Sequence, residues 1–345
     1  MIKYPASYAR MRGLKGKLLG KDQLEIFLGV SDVESITSVL SRSSYSEQLR
    51  GATGLAQVEH GLKQDLALSY MKILTFLRGR PARFVQALLD RFELLNVKSI
   101  VRMFARGSTE ELSVEPLIFS LRRYHTIPVE DALKAEDLES LMELMKRTPF
   151  ARALEIGYRQ YEDEGEIFPL ELALDLDYYD RLWKAMDALG PLDKHNTARL
   201  LGIRYDITNI IWMLRFKEYR GFSPEQLLQY IIPHGWGIRG NEFWRAAADS
   251  DVTDAIIALQ INPYDDLFKS VSRVDGSFIM GAEIHLLRYL YRESLEIFMR
   301  FPLQSAQLVA FFICKEMEIR DIITVLAGRN LELSQERIRP YMVTV

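Results

Sequence analysis

Asp32-Val33 … Leu40 … Ser44-Tyr45 returns as Asp137-Leu138 … Met145 … Pro149-Phe150, and again as Asp251-Val252 … Leu259 … Pro263-Tyr264. The aromatic follows the aspartate by 13 residues in every copy, so the copies superpose without a gap. Val33, Ile36, Val39 and Leu40 fall on one face of a helix, as do Leu138, Leu141, Leu144 and Met145, and Val252, Ala255, Ala258 and Leu259. Ser31, Asp32 and Glu34 form an N-terminal cap, with Ser31 and Glu34 at capping-box spacing. Pro149 and Pro263, with Ser44 in their place in the first copy, mark the far end, because proline cannot continue a helix. An internal repeat of this length means that the fold is assembled from copies of one unit.

Two further elements follow in the same order. The second runs Glu93 to Arg102, then Asp206 to Arg215, with a degenerate third copy over Lys315 to Thr324. Its apolar positions 97/100/101, 210/213/214 and 319/322/323 are placed in register. The third element reads Ser-x-Glu-x-Leu/Ile: Ser108, Glu110, Leu112; Ser223, Glu225, Leu227; Ser334, Glu336, Ile338. Serine caps a helix, Pro224 suits its first turn, and the glutamate meets the positive end of the dipole. Long amphipathic stretches separate the first and second elements: Leu66 to Phe92, Tyr178 to Ile203 and Ile284 to Ile313. No run of strands stands out. The expectation is an all-α protein of three homologous helical domains, 1–121, 122–233 and 234–345.

Composition excludes several classes. Hydrophobic content of 48% and charged content of 26% are those of an ordinary globular chain. A net charge of −3 gives no bias toward nucleic acid or an anionic membrane. With one cysteine, Cys314, no disulfide forms within the chain, which fits a reducing cytoplasm. The longest apolar run, Leu308 to Ile313, is closed by Cys314-Lys315-Glu316 and is far short of the ~18 residues of a membrane span. It reads as a buried helix. The N-terminal residues carry no long apolar stretch of a secretory signal.

Motifs for chemistry fail on spacing. Gly16-Lys17-Leu18-Leu19-Gly20-Lys21 has three residues between its glycines where a Walker loop needs four, and Asp22 stands where that loop has Ser or Thr. His60, His125, His195, His234 and His285 are scattered without ligand partners one helical turn away, and read as surface or satisfied core histidines. Glu162, Asp163, Glu164 and Glu166 lack the spaced loop that wraps calcium, and read as a solvated acidic face. Cys314 reads as a small buried hydrophobe. No catalytic residue, cofactor or metal is expected.

Two constellations remain. Tyr4, Tyr8, Met11, Leu14 and Leu18 form a narrow stripe, with Arg10, Arg12, Lys15 and Lys17 among the charges around it. The stripe is expected to pack into the first domain, leaving a basic, partner-facing segment. Basic amphipathic helices also serve as membrane-surface or targeting segments. Asn96 and Asn209, and Arg102 and Arg215, sit at matching places in two repeats, where Glu318 and Thr324 stand in the third. Such residues tie a helix to its neighbours or line a surface shared by the repeats. The repeat signature is therefore Asp32, Tyr45, Asn96, Arg102, Asp137, Phe150, Asn209, Arg215, Asp251, Tyr264 and Glu318.

The whole pattern resembles the C subunit of V-type (A-type) ATPases, the bacterial and archaeal relative of the d subunit of eukaryotic V-ATPases. The opening Tyr8-Ala9-Arg10-Met11-Arg12-Gly13-Leu14, the segment Asp206 to Lys217 and the late Lys315 to Arg320 carry the resemblance, which spans essentially the whole chain. It implies a funnel of three domains about a pseudo-threefold axis. It also implies a non-catalytic rotor subunit on the central stalk, between the shaft of the soluble head and the membrane rotor ring, transmitting torque for ion transport or ATP synthesis. Shaft subunits and rotor ring are the implied partners, with no nucleic acid, no membrane span and no homo-oligomer. The implied location is cytoplasmic, peripheral on the membrane. Two rival readings stand beside it. One is an open helical-repeat scaffold unrelated to rotation. The other is an all-helical enzyme using carboxylates such as Glu162 and Glu166.

Overall fold

The computed structural model describes residues 5–30, 32–52, 54–105, 118–238, 240–249, 251, 254–255, 264–269, 271, 273–274, 276–301 and 304–345. Among these residues the fold is all-α; a single isolated bridge between Val274 and Ser277 is the only extended pairing. Ser31, Tyr4, Ser108, Glu110, Leu112, Val252, Ala258, Leu259 and Pro263 lie outside the described residues.

The chain forms two compact units, Gly51–Ala188 and Met1–Arg50 with Leu189–Val345. These divisions, at 50/51 and 188/189, differ from the repeat boundaries near 121 and 233. The reason is visible in the packing within each unit: the opening helices of one repeat lie on the long helix of the repeat before it.

In the unit Gly51–Ala188, α4 (Leu55–Leu74) and α5 (Gly79–Ala105) form a hairpin. They belong to the first repeat. The second repeat enters with α6 (Val129–Leu133), α7 (Leu138–Met145), α8 (Ala151–Glu164) and α9 (Phe168–Asp187), and both α7 and α9 pack on α5. Asp137 caps α7, accepting a hydrogen bond of 2.8 Å from the Ser140 amide. Val85, Leu89, Val97, Ile100, Phe150 and Leu174 are fully buried. Helix α8 crosses α9 at Gly157, where an added Cβ would stand 2.4 Å from the Leu170 Cα.

In the other unit, α1 (Pro5–Lys15), α2 (Gly20–Gly29) and α3 (Val33–Leu40) open the first repeat. Asp32 caps α3 through the Ser35 amide at 2.7 Å, the same device as Asp137. The second repeat contributes α10 (Pro191–Arg220) and α11 (Pro224–Gln229), the latter opened by a Ser223–Gln226 capping box with Pro224 in the first turn. The third repeat contributes α12 (Gly240–Ala248), α13 (Tyr264–Lys269), α14 (Phe278–Arg300), α15 (Ser305–Asn330) and α16 (Gln335–Ile338). Each long amphipathic stretch of the sequence thus falls on two consecutive helices.

Helix α15 is the axis of this unit. It packs on α1, α2, α3, α10, α14 and α16, and Leu308, Phe311, Phe312, Met317, Ile322 and Val325 are buried around its whole circumference. A helix covered on every side has no polar face, which explains the uninterrupted apolar run. Cys314 is buried in it, and loss of solvent pushes its thiol up to about 12. The N-terminal stripe is buried, but against the third repeat and not simply within the first domain as expected: Tyr8, Met11 and Leu14 are buried and α1 lies on α15.

Gly157→Ala is expected to lower stability by ~1–3 kcal/mol, since the methyl group meets backbone that cannot rotate away. Urea denaturation checks this; an unchanged midpoint would contradict the close crossing of α8 and α9.

Candidate functional site

A carboxylate stands at one matching place in each long helix, 113 and then 112 residues apart: Glu93 on α5, Asp206 on α10 and Glu318 on α15. All three are buried. Burial of an acid without donors is costly, so its hydrogen bonds reveal its purpose.

Glu93 accepts from the Thr126 and Ile127 amides at 2.6 and 3.1 Å, from Asn96 Nδ2 at 3.0 Å and from His125 Nδ1 at 3.0 Å. The Leu121 amide donates to His125 Nε2 at 3.0 Å, so the proton sits on Nδ1 and points at the carboxylate. Asp206 accepts from the Gly237 and Ile238 amides at 2.7 and 3.3 Å and from the Tyr264 hydroxyl at 2.7 Å. Glu318 accepts from the Gly20 amide at 3.2 Å and the Tyr45 hydroxyl at 2.6 Å.

The donated amides follow one rule. Thr126 precedes Asp137 by 11 residues, Gly237 precedes Asp251 by 14, and Gly20 precedes Asp32 by 12. Each carboxylate therefore holds the opening backbone of the next repeat. The first holds the second, the second holds the third, and the third holds the first. Tyr264 and Tyr45 reinforce two of these junctions. At the remaining junction the matching aromatic is Phe150, which has no hydroxyl and is covered by the Arg181 guanidinium at 4.9 Å; there Asn96 and His125 complete the donor set of Glu93. Gly20 belongs to the glycine-rich stretch 16–21, and its amide is committed to Glu318.

A second polar position lies one turn further along each helix. Asn96 exchanges two bonds with the Phe119 backbone, at 2.8 and 3.0 Å, and Asn209 exchanges two with Ile232, both at 2.8 Å. The third-copy equivalent is Asp321, which accepts from the Val343 and Thr344 amides at 2.7 Å each. This corrects the register of the third copy. Asp321, and not Glu318, matches Asn96 and Asn209, and Ile322, Val325 and Leu326 match Val97, Ile100 and Val101. A slip of three residues keeps apolar side chains on one helical face, so periodicity alone does not detect it.

The repeated arginines join consecutive repeats by ion pairs. Arg102 on α5 pairs with Glu171 on α9, with Nη2 and Oε2 at 2.9 Å, beside Lys98–Asp175 at 2.6 Å. Arg215 on α10 pairs with Glu283 on α14 at 2.6 Å. In the corrected register the third copy has Ala327 here, so no such pair recurs. Helix α15 instead donates from Arg329 to the Leu28 carbonyl, and Arg339, beyond α16, grips Glu25 on α2. Asp251 accepts from the Asp254 amide at 3.2 Å, the third instance of the aspartate cap. On α1, Arg10 and Arg12 are exposed, as is Lys17 just beyond it, whereas Lys15 lies 3.7 Å over the Phe298 ring. Glu162, Asp163, Glu164 and Glu166 are exposed around the end of α8, consistent with a solvated acidic face.

Burial dominates the acidity of Asp206, Glu318 and Asp321. Loss of solvent pushes Asp206 up to about 6 against the pull of the Gly237, Tyr264, Ile238 and Trp236 donors. Burial also raises Glu318 against Tyr45 and Gly20, and Asp321 against Thr344 and Val343. Gly235 leaves room for the second clamp: a Cβ there would stand 2.0 Å from Asp206 Oδ1.

An acid whose folded pKa lies above its unfolded value binds extra proton in the folded state. Its stabilisation is complete below about 4 and is lost as pH rises through about 6. Asp206→Asn is expected to flatten the unfolding free energy across that window by roughly 3 kcal/mol at most; wild-type and variant profiles that stay parallel would refute this. Tyr45→Phe and Tyr264→Phe are each expected to cost about 1–3 kcal/mol at pH 8, because each leaves a buried carboxylate short of one donor. Urea midpoints within error of wild type would show that neither hydroxyl supports its clamp.

The sequence pattern of the family described as ATP synthase (C/AC39) subunit matches residues 7–341. The C subunit of the A-type ATP synthase of Methanosarcina barkeri is 25% identical over 346 residues, covering 99% of this chain and 93% of the relative. That of Halobacterium salinarum is 24% identical over 356 residues, covering 98% of both chains. That of Methanothermobacter thermautotrophicus is 25% identical over 340 residues, covering 95% of this chain and 84% of the relative. With a chain of helical repeats matched from its first described helix to its last, the protein belongs to the family of ATP synthase C/AC39 subunits.

Proposed function

We propose that this protein is a non-catalytic central-stalk subunit of an A/V-type ATP synthase. It joins the shaft of the soluble head to the membrane rotor ring and passes torque between them. The observation that carries the reading is the cyclic order of the buried carboxylate clamps, in which the third repeat holds the opening of the first. Family membership supplies the machine; the clamps supply a reason for the shape. Three homologous domains, 1–121, 122–233 and 234–345, held in cyclic order suit a pseudo-threefold funnel whose hollow admits the end of a helical shaft. An open scaffold would leave the opening of the first repeat without a partner in the third, whereas Gly20 and Tyr45 both bond to Glu318.

Torque transmission needs a body that does not yield. Buried hydrogen bonds to charged groups resist separation more than exposed ion pairs do, which are each worth about 0–1 kcal/mol. The clamps are therefore the elements on which stiffness depends. Arg10, Arg12 and Lys17 are proposed to face a partner in the stalk, where charge sets register more than affinity. No helix among the described residues is long and apolar enough to cross a membrane, and the proposed location is peripheral, through the assembled complex.

The protein is expected to co-purify with both shaft and ring subunits at mild salt; association with neither would sink the reading. In the assembled complex, Glu318→Ala is expected to leave ATP hydrolysis by the head largely intact while ion transport falls several-fold. Retained transport would show that this closure carries no torque.

A further inference from the structure

An open groove of about 920 Å³ lies in the unit that contains α14 and α16. Its arginines come from two elements, Arg288 and Arg292 on successive turns of α14 and Arg339 beyond α16, with His285 one turn before Arg288. Leu267, Tyr291, Pro340 and Val343 supply apolar wall between them.

The charges are unevenly satisfied. Arg339 is committed to Glu25 at 2.9 Å. Arg288 spends Nε and Nη2 on the Met342 and Pro340 carbonyls at 2.8–3.2 Å, which hold it in place without neutralising it. His285 donates from Nδ1 to the Gly281 carbonyl at 3.0 Å. Arg292 is exposed and, among the described residues, makes no hydrogen bond or ion pair. Glu336 is the acidic side chain of the lining, and it is engaged with the Ser334 cap. The nearby Asp321 is buried, with its oxygens taken by Val343 and Thr344. The groove therefore presents two arginines one turn apart on one helix, with no ion pair to either among the described residues, although the buried Asp321 acts on Arg288 from a distance, and with apolar surface alongside.

We propose that this groove docks an acidic, partly apolar peptide segment of a partner protein, with Arg292 and Arg288 gripping its carboxylates. The fork of Arg292, with the Nη1 that Arg288 does not spend on Met342 and Pro340 one turn away, suits successive carboxylates of an extended or helical segment. The apolar wall adds contact that a bare phosphate or a lipid headgroup would not use. Arg288 is pre-set by the backbone carbonyls it holds, so little side-chain freedom is lost on docking. The inference does not depend on the stalk reading, since it rests on the groove alone.

The test uses the full chain and a fluorescein-labelled peptide of alternating Glu and Leu, followed by fluorescence anisotropy. Arg292→Glu removes no hydrogen bond or ion pair made among the described residues and is expected to melt like wild type, yet to weaken binding at least tenfold. Arg147→Glu, an exposed charge reversal in the other compact unit, is expected to leave binding unchanged. Affinity is expected to fall as salt is raised. The proposal is overturned if the peptide does not bind, if both reversals weaken it equally, or if a Lys-for-Glu peptide binds as well. It is also overturned if anionic phosphatidylglycerol vesicles, and not the peptide, show the Arg292-dependent binding.

Discussion

A carboxylate taken out of water must be given donors, and in this protein the donors belong to the neighbouring repeat. Glu93, Asp206 and Glu318 are buried on three long helices, and each is satisfied by backbone amides that open the following copy. The fold depends on this exchange. If an opening segment pulls away, a charge is stranded in a dry interior, which costs several times what an ordinary surface contact returns. The same exchange explains why the compact units do not coincide with the sequence repeats.

Around the clamps, weaker interactions differ from copy to copy. Arg102–Glu171 and Arg215–Glu283 recur in two junctions and have no counterpart at Ala327. Tyrosine hydroxyls complete two clamps, whereas Phe150 leaves Glu93 to Asn96 and His125. The repeated acid and the repeated Asn/Asp anchor are kept in all three copies; the outer contacts vary. This is the pattern expected when the buried polar group must be satisfied in every copy and exposed pairs add little.

Much of this was legible in the chain. The 13-residue spacing and helical periodicity gave the all-α class and the repeat, and the aspartate cap appears at Asp32, Asp137 and Asp251 alike. Asn96 and Asn209 were visible as a matched pair. The third copy was not, because Ile319, Ile322 and Ile323 imitate the apolar pattern three residues out of register. The spacing of 113 and 112 residues between Glu93, Asp206 and Glu318 was the signal that would have corrected it. His125 looked like one of five scattered histidines, and nothing local marks its bond to Glu93.

The sequence by itself determined what is short-range: which segments are helices, where they start, and that one plan recurs, because caps and apolar periodicity act within a few turns. Tertiary structure alone decided which copy each opening segment joins and which acid receives its amides. Those bonds link residues as far apart as Gly20 and Glu318, and a hydrogen bond's partner is set by where the folded chain places a donor, not by the residue types on either side of it.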